Sequence, residues 1–211
     1  GHGSATSHNE VSFSTVTRCG LSWIDGGGQG TSLGQGIIIK NCSDCIVRGN
    51  IVSHTFRNGI QVNTSTECGQ GPAACYTNGA IIDRNTVSDY GRKQDQSSSV
   101  YPRPSEQSDG SSAGIYVGIG GAATGVVDDP LITNNAIFSA FTYANTNSAT
   151  PAGIRLDSNM SGATIINNAI YGVPGACIYT SPLTTNASTL TIRNNAMHLC
   201  STLSSTACGG F

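Results

Sequence analysis

The side chains best suited to chemistry gather in one segment, from Ser88 to Ala113, although charged residues make up only 10% of the chain. Such a mixture of carboxylates, cations and aromatic rings suits a sugar chain, because rings stack on sugar faces and carboxylates serve as acid and base. The alternative is a solvated loop with scattered ion pairs, since nothing in the spacing brings two carboxylates together. The catalytic candidates are Asp89, Arg92, Lys93, Arg103 and, from an earlier segment, Asp25, and the candidates for stacking on a glycan are Trp23, Tyr101 and Tyr143.

Two patterns suggest a metal or redox site, and both are incomplete. Asp128 and Asp129 are adjacent carboxylates, but Ca²⁺ takes about six to eight oxygen ligands, and the pair also suits a turn before a strand. Cys42 and Cys45 form a CxxC pattern, but zinc needs a second pair of ligands and a thioredoxin-like site needs a βαβ unit. We therefore predict no cofactor, keep calcium as an unsupported alternative, and predict either a structural disulfide or two core thiols for the CxxC pair.

The eight cysteines indicate an oxidising, extracellular or cell-surface location. Cys68 and Cys75 bracket a Gly-containing loop, and Cys200 and Cys208 bracket a Ser/Thr-rich tail, so each pair is predicted to form a local disulfide. Cys177 is predicted to be a buried thiol, at a position where other copies of the repeat place Ile. Four N-x-S/T sequences are compatible with secretion, at Asn41, Asn63, Asn159 and Asn186.

Composition excludes two classes of partner. The net charge is −2 and no basic cluster occurs, whereas phosphate binding needs clustered Lys and Arg, so nucleic acid is not expected. No apolar stretch approaches the ~20 residues of a membrane span.

Gly occurs 27 times and charged residues are scarce, which favours an all-β chain with many turns over a helical one.

Two short motifs recur along the chain and define its architecture. The first motif spans six residues, with apolar residues at its first and sixth positions and an anchor residue at its fourth. Its anchor is Ser14 in the first copy and then Asn50, Asn85, Asn135, Asn168 and Asn195. The second motif, Gly-Ile-x-apolar, begins at Gly36, Gly59, Gly114 and Gly153, with a degenerate copy at Ala176-Cys-Ile-Tyr179.

These motifs predict short stacked strands. Apolar residues alternate with a period of two and many are β-branched, which is typical of strands. Strands this short need neighbours above and below, and the tightest repeat takes about 22 residues. The anchors are placed at the bend between two strands, because Asn tolerates left-handed backbone geometry. Stacked anchors should form an Asn ladder whose amides bond along the axis.

The repeat resembles the right-handed parallel β-helix shared by pectate lyases, polygalacturonases, alginate epimerases, phage tailspikes and many surface proteins. The resemblance covers residues 9 to about 200. It implies one all-β domain over 1–211, a single-stranded right-handed parallel β-helix, or β-solenoid, of about six coils without an evident capping helix. The coils are expected near 9–39, 45–62, 80–117, 130–156, 163–179 and 190–200, followed by a C-terminal tail over 201–211.

The enzyme signatures of this group are present only in part. Pectate lyases carry Trp-Ile-Asp-His, and here Trp23-Ile24-Asp25 is followed by Gly26. Polygalacturonases carry Gly-His-Gly and later Arg-Ile-Lys, and here Gly1-His2-Gly3 is followed by Ile38-Ile39-Lys40. Alginate epimerases carry Asp-Pro-His, and here Asp129-Pro130 is followed by Leu131. The resemblance therefore implies a fold more than an activity.

Loops and ends are where the sequence departs from a minimal coil. Three insertions follow the anchor strand, from Cys19 to Gln35, Ser88 to Ala113 and Ser139 to Ala152, and in-register stacking would cluster them along one edge. A helix at the end of a β-helix covers the exposed strand edge and prevents its pairing with another chain. No helical pattern precedes Val11 or follows Met197, so no such cap is evident. We therefore expect an extracellular structural β-solenoid module that assembles head to tail into a filament or a larger surface appendage. The alternatives are a polysaccharide lyase, hydrolase or epimerase, and a glycan-binding β-helix without activity.

Overall fold

The computed structural model of the chain describes residues 6–17, 19, 35–55, 57–65, 76–91, 112–120, 125–138, 140, 151–157, 160–180 and 190–200. Within these residues every regular element is a β-strand and no helix occurs. None of the described segments contains a helix long and apolar enough to cross a membrane. Strands of five or more residues occur only in the Gly-Ile motif, and the others have two to four.

The described strands form four parallel sheets. Sheet A contains β1 (Thr6–Ser7), β5 (Cys42–Ser43), β9 (Tyr76–Asn78), β13 (Val126–Asp128) and β17 (Met160–Ser161). Sheet B contains β2 (Glu10–Ser12), β6 (Ile46–Arg48), β10 (Ile81–Asp83), β14 (Leu131–Thr133), β18 (Thr164–Ile166) and β21 (Thr191–Arg193). Sheet C contains β3 (Thr15–Thr17), β7 (Ile51–Ser53), β11 (Thr86–Ser88), β15 (Ala136–Phe138), β19 (Ala169–Tyr171) and β22 (Ala196–His198). Sheet D contains β4 (Ile37–Lys40), β8 (Ile60–Ser65), β12 (Ala113–Gly120), β16 (Ala152–Leu156) and β20 (Ile178–Thr180).

The chain passes through sheets A, B, C and D in turn and then returns to sheet A. Neighbouring strands pair in parallel, and the anchor-motif strands and Gly-Ile strands pair at matching positions of their motifs. The arrangement is consistent with a β-solenoid, in which each passage through the sheets forms one layer. Sheets B, C and D correspond to the two motifs, whereas sheet A was not predicted from the sequence.

The interior is filled by inward-facing side chains stacked in columns. In sheet C, Val87 pairs with Val52 on one side and Ile137 on the other, and all three have no exposed area. Sheets B and D carry similar columns of Ile, Val and Leu. Full burial of such a side chain stabilises the fold by roughly 1.5–3 kcal/mol, so the columns hold the layers together.

One residue in left-handed geometry turns the corner between sheets B and C in each layer. It is Phe13, Gly49, Arg84, Asn134, Asn167 or Asn194, with φ between 49° and 65°. This corrects the expected role of the anchors, because the left-handed residue is the one before each anchor. The anchor itself is the residue that follows the corner, and the anchors of the inner layers are buried there.

The glycine of the Gly-Ile motif lies where two layers approach too closely for a side chain. A Cβ atom on Gly114 would lie 2.5 Å from a methyl carbon of Ile137 and 2.9 Å from the carbonyl oxygen of Gly153. At Gly36 and Gly59 the nearest contacts would be 2.3 Å and 2.2 Å. The motif is therefore a packing requirement between sheet D of one layer and sheet C of the next.

Cys177 interrupts this glycine column in the fifth layer. Ile178 pairs with Ile154, so Cys177 lies opposite Gly153 and not at an Ile position, which corrects the alignment expected from the sequence. The Cys177 side chain is bonded to Cys200, which follows β22 in the next layer.

The outermost layers are less buried than the inner ones. The inward residues Val11 and Val16 of the first layer, and Ile192 and Met197 of the last, are only partly buried, whereas Val52 has no exposed area. In sheets B and C of the described chain, the first and last strands have a neighbour on one side only. The apolar interior is therefore partly open at both ends of the described stack.

Candidate functional site

The predicted anchors form a continuous hydrogen-bonded ladder along the corner between sheets B and C. From Ser14 to Asn168, each anchor N–H donates to Oδ1 of the anchor in the next layer, over 2.9–3.0 Å. The Nδ2 group of Asn135 donates to the same oxygen of Asn168 and to the carbonyl of Ile82 in the preceding layer. Buried amides need such partners, so the ladder fixes the register of neighbouring layers. Its side-chain rungs are Asn50, Asn85, Asn135, Asn168 and Asn195.

A second polar array lies on the outer face of sheet D, at the variable position of the Gly-Ile-x-apolar motif. Gln61, Tyr116, Arg155 and Tyr179 occupy this position in neighbouring strands. The hydroxyl of Tyr116 donates to Oδ2 of Asp157 over 2.9 Å. The Arg155 guanidinium lies 3.8 Å from Oδ1 of Asp157 and over the Tyr179 ring, 4.9 Å from its centroid. We call Tyr116, Arg155, Asp157 and Tyr179 the sheet D cluster.

Gly118 makes room for the contact between Tyr116 and Asp157. A Cβ atom on Gly118 would lie 2.6 Å from Cβ of Asp157 and 3.0 Å from the Tyr116 hydroxyl. Asn63 pairs with Gly118 on the neighbouring strand, and its buried Oδ1 has no hydrogen-bond partner in the described part of the chain. A water molecule or a ligand hydroxyl would satisfy this acceptor.

The sheet D cluster brings together groups that recognise sugars. The Tyr179 ring is only partly buried and can stack on a sugar, whereas the Tyr116 ring is buried. Asp157 can accept hydrogen bonds from hydroxyls, and Arg155 can pair with an acidic sugar. The side chains of Arg155 and Asp157 are 19% and 25% exposed, so the cluster is partly accessible. Asp157 is its single carboxylate, and the cluster therefore suits binding better than hydrolysis by a carboxylate pair.

Asp89 is the one sequence-based catalytic candidate within the described residues. It lies at the corner after β11, with φ of 49°, and its Oδ2 is 3.4 Å from Nε2 of His54 in the neighbouring layer. This contact is an ion pair only when His54 is protonated, and it brings no second carboxylate to Asp89. Asp25, Arg92, Lys93, Arg103, Trp23, Tyr101 and Tyr143 lie outside the described residues.

The adjacent Asp128 and Asp129 have separate roles in sheet A. Asp128 accepts hydrogen bonds from the hydroxyls of Tyr76 and Ser161 on the two neighbouring strands, while Asp129 turns the following corner with φ of 48°. The bond to Asp128, and then burial, raises the pKa of Tyr76 above its ordinary value. Among the described residues, no group of three or more His, Cys, Asp or Glu side chains is placed to hold a metal ion.

Cys200 is bonded to Cys177, with 5.4 Å between the Cα atoms, a separation within the usual disulfide range. This corrects both the expected Cys200–Cys208 staple and the buried thiol expected at Cys177. The reason is the register of sheet D, which puts Cys177 at the glycine position facing the next layer. Cys68, Cys75 and Cys208 lie outside the described residues.

Cys42 and Cys45 are free thiols buried in the core beside β5 and β6, and not a disulfide. Burial, and then the neighbouring Cys45 thiol, raises the pKa of Cys42. Because the thiolate is the reactive form of cysteine, this environment suits packing and not redox chemistry.

The sequence-based candidates overlooked the sheet D cluster, although a signal for it was present. Its members Tyr116 and Arg155 stand at the x position of the motif, which the pattern left unspecified. Tyr179 was placed at the inward apolar position, because the degenerate copy was aligned one residue out of register. Asp157 lies directly after β16, where the motif no longer constrains the residue type.

The described residues define a stack of parallel sheets with an internal amide ladder and a polar, aromatic cluster on sheet D. No protein-family model matches the chain, and no curated protein or solved structure compared with it matches significantly.

Proposed function

We propose that the chain is an extracellular structural module: a right-handed parallel β-helix of about six coils that stacks end to end on copies of itself. The in-register parallel sheets support the solenoid. The right hand is the usual one for connections between parallel strands. The bond between Cys177 and Cys200 supports an oxidising location outside the cell.

The half-buried end layers carry this proposal. Val16 and Met197 face the interior, as Val52 does, but only Val52 is covered on both sides by further strands within the described chain. An unpaired strand edge with apolar side chains beneath it favours pairing with another chain. A second molecule stacked on either end would cover these side chains and extend sheets B and C.

Sedimentation velocity over a range of protein concentrations tests this association. Met197→Lys should prevent it, because the ammonium group would enter the contact, while in the free molecule the long side chain can extend from the open end into water. Leu199→Lys is the matched control, since Leu199 lies in the same layer and is already 60% exposed. A sedimentation coefficient independent of concentration, or normal association of Met197→Lys, would contradict the proposal.

The sheet D cluster favours a second function, the binding of a glycan. Tyr179 supplies a ring, Arg155 a cation for an acidic sugar, and Asp157 an acceptor for hydroxyl groups. The described cluster supports glycan binding without turnover, because Asp157 is its single carboxylate and hydrolysis uses a pair. An enzyme acting on a polysaccharide would need an acid or base from elsewhere in the chain.

Calorimetric titration with uronate-rich oligosaccharides tests the glycan site. Tyr179→Ala and Arg155→Met should each weaken binding about tenfold, because each removes one of the two stacked groups. Tyr171→Ala is the control, since Tyr171 is a 52% exposed ring on sheet C. Equal affinities for the Tyr179 and Tyr171 variants, or no binding by the unmodified protein, would reject the site.

A further inference from the structure

The amide ladder has a direction. In each step, the N–H and Nδ2 donors belong to one layer and the acceptor Oδ1 belongs to the following layer, as between Asn135 and Asn168. One end of the ladder therefore presents donors and the other presents acceptors. Within the described residues, the acceptor end is Ser14 and the donor end is Asn195.

Asn195 leaves a donor at the last described layer. Its Oδ1 accepts from Asn168, and its Nδ2 donates to the carbonyls of Ile165 at 3.0 Å and Arg193 at 3.1 Å. In the earlier layers, the backbone N–H of each anchor donates to Oδ1 of the next anchor. The described chain contains no anchor after Asn195, so no such Oδ1 is available to the Asn195 N–H. The ladder pattern therefore continues only if another layer supplies an acceptor.

Ser14 supplies an acceptor at the opposite end. Its Oγ donates to the carbonyl of Ser12, two residues earlier, over 3.1 Å. Asn195 makes the equivalent bond, from its Nδ2 to the carbonyl of Arg193. A hydroxyl that donates one hydrogen bond keeps two lone pairs for accepting. Ser14 can therefore act as the first rung for a layer that approaches from outside.

We infer that a second copy of this chain docks head to tail, with the Asn195 N–H donating to Oγ of Ser14 in the next molecule. This inference rests on the proposed self-association and adds its direction and register. The continuity of the ladder and of sheets B and C argues for a second copy as the occupant. Head-to-head contact would place acceptor ends against each other, so the assembly is polar and open.

The same continuity predicts which side chains meet across the contact. Ala196 already pairs with Ala169, and Thr15 already pairs with Ile51, each in the outward column of sheet C. Extension of this column places Ala196 beside Thr15 of the next copy, at the strand spacing of about 4.8 Å. Cysteines at these two positions would meet the Cα separation that a disulfide requires.

Mixed disulfide formation tests the direction. An equal mixture of Thr15→Cys and Ala196→Cys proteins, oxidised after assembly, should give a covalent dimer that neither variant gives alone. Thr15→Cys mixed with Ala169→Cys is the matched control, since Ala169 lies in the same column one layer further inside, and it should give none. The unmodified protein is the blank for its own thiols.

The strength of the contact is tested separately by sedimentation. Ser14→Ala should weaken association about fivefold, whereas Ser14→Asn, which restores the usual rung, should preserve or strengthen it. Ser12→Ala, on the same layer but outside the ladder, should have no effect. Covalent homodimers from one variant alone, or association that is indifferent to Ser14, would overturn the inference while leaving self-association intact. A protein that never associates would overturn both.

Discussion

Asn135 contacts the layers on both sides of its own. Its Oδ1 accepts from the N–H and Nδ2 of Asn85, and its Nδ2 donates to Oδ1 of Asn168 and to the carbonyl of Ile82. A single side chain of this kind therefore satisfies buried polar groups in three layers, and its replacement leaves several of them without partners.

We expect Asn135→Ala to lower the free energy of unfolding by about 3 kcal/mol, since each buried group left without a partner costs about 1–3 kcal/mol. Asn167→Gly is the control, because Asn167 is exposed and turns its corner with φ of 58°, which glycine adopts freely. Urea unfolding followed by circular dichroism measures both. Equal losses for the two variants would show that the ladder contributes little.

The glycine column gives a second prediction for a single residue. Gly114→Ala should destabilise the fold by about 1–3 kcal/mol, because the new methyl group would displace Ile137 or the neighbouring Gly153 backbone. Ala152→Gly, on the strand that pairs with β12, is the comparison, and it removes a methyl group without creating a clash. Thermal unfolding of both proteins measures the difference. A Gly114→Ala protein as stable as the unmodified one would contradict the close approach between Gly114 and the neighbouring layer.

At the scale of elements, sheets B, C and D could be predicted because each repeats a residue type. The buried column of sheet C is Val or Ile in its inner layers, and the anchors repeat at the following corner. Sheet A could not be predicted, because its inward positions hold Cys42, Thr77, Val127 and Met160, which share no pattern. Strands of two or three residues with unlike side chains give no periodic signal.

The candidate site was harder to predict than the fold for a related reason. Core positions repeat because packing allows few residue types, whereas the outward positions of sheet D are free to vary from Gln61 to Tyr116 and Arg155. The contact between Arg155 and Tyr179 depends on strand register. One misplaced residue in the degenerate copy was enough to hide it.

The disulfide gives a prediction for the last layer. Cys177→Ser combined with Cys200→Ser should lower the free energy of unfolding by about 3 kcal/mol, the cost expected for a bridge across 23 residues. The loss should appear as faster amide exchange in β21 and β22, because the bridge joins this layer to sheet D of the preceding one. Cys19→Ser is the control, since Cys19 is a free thiol. Unchanged exchange in these strands would contradict the assigned role.

At the scale of the whole molecule, burial, ladder and sheet pairing all run along one axis. In the described part of the chain, the inner layers have strands on both sides, while the first and last layers of sheets B and C have strands on one side. The sheet D cluster lies on the side of the stack and reaches the last described strand of sheet D, because Tyr179 is on β20. End-to-end association is tested by variants in sheets B and C, and glycan binding by variants in sheet D.

Electron microscopy of the concentrated protein tests end-to-end association most directly. We predict unbranched, polar rods longer than one molecule, with an axial spacing of about 4.8 Å between strands that continues across the contacts. Met197→Lys should give single particles under the same conditions, and Leu199→Lys should give rods. Isolated particles of the unmodified protein at every concentration would contradict the claim.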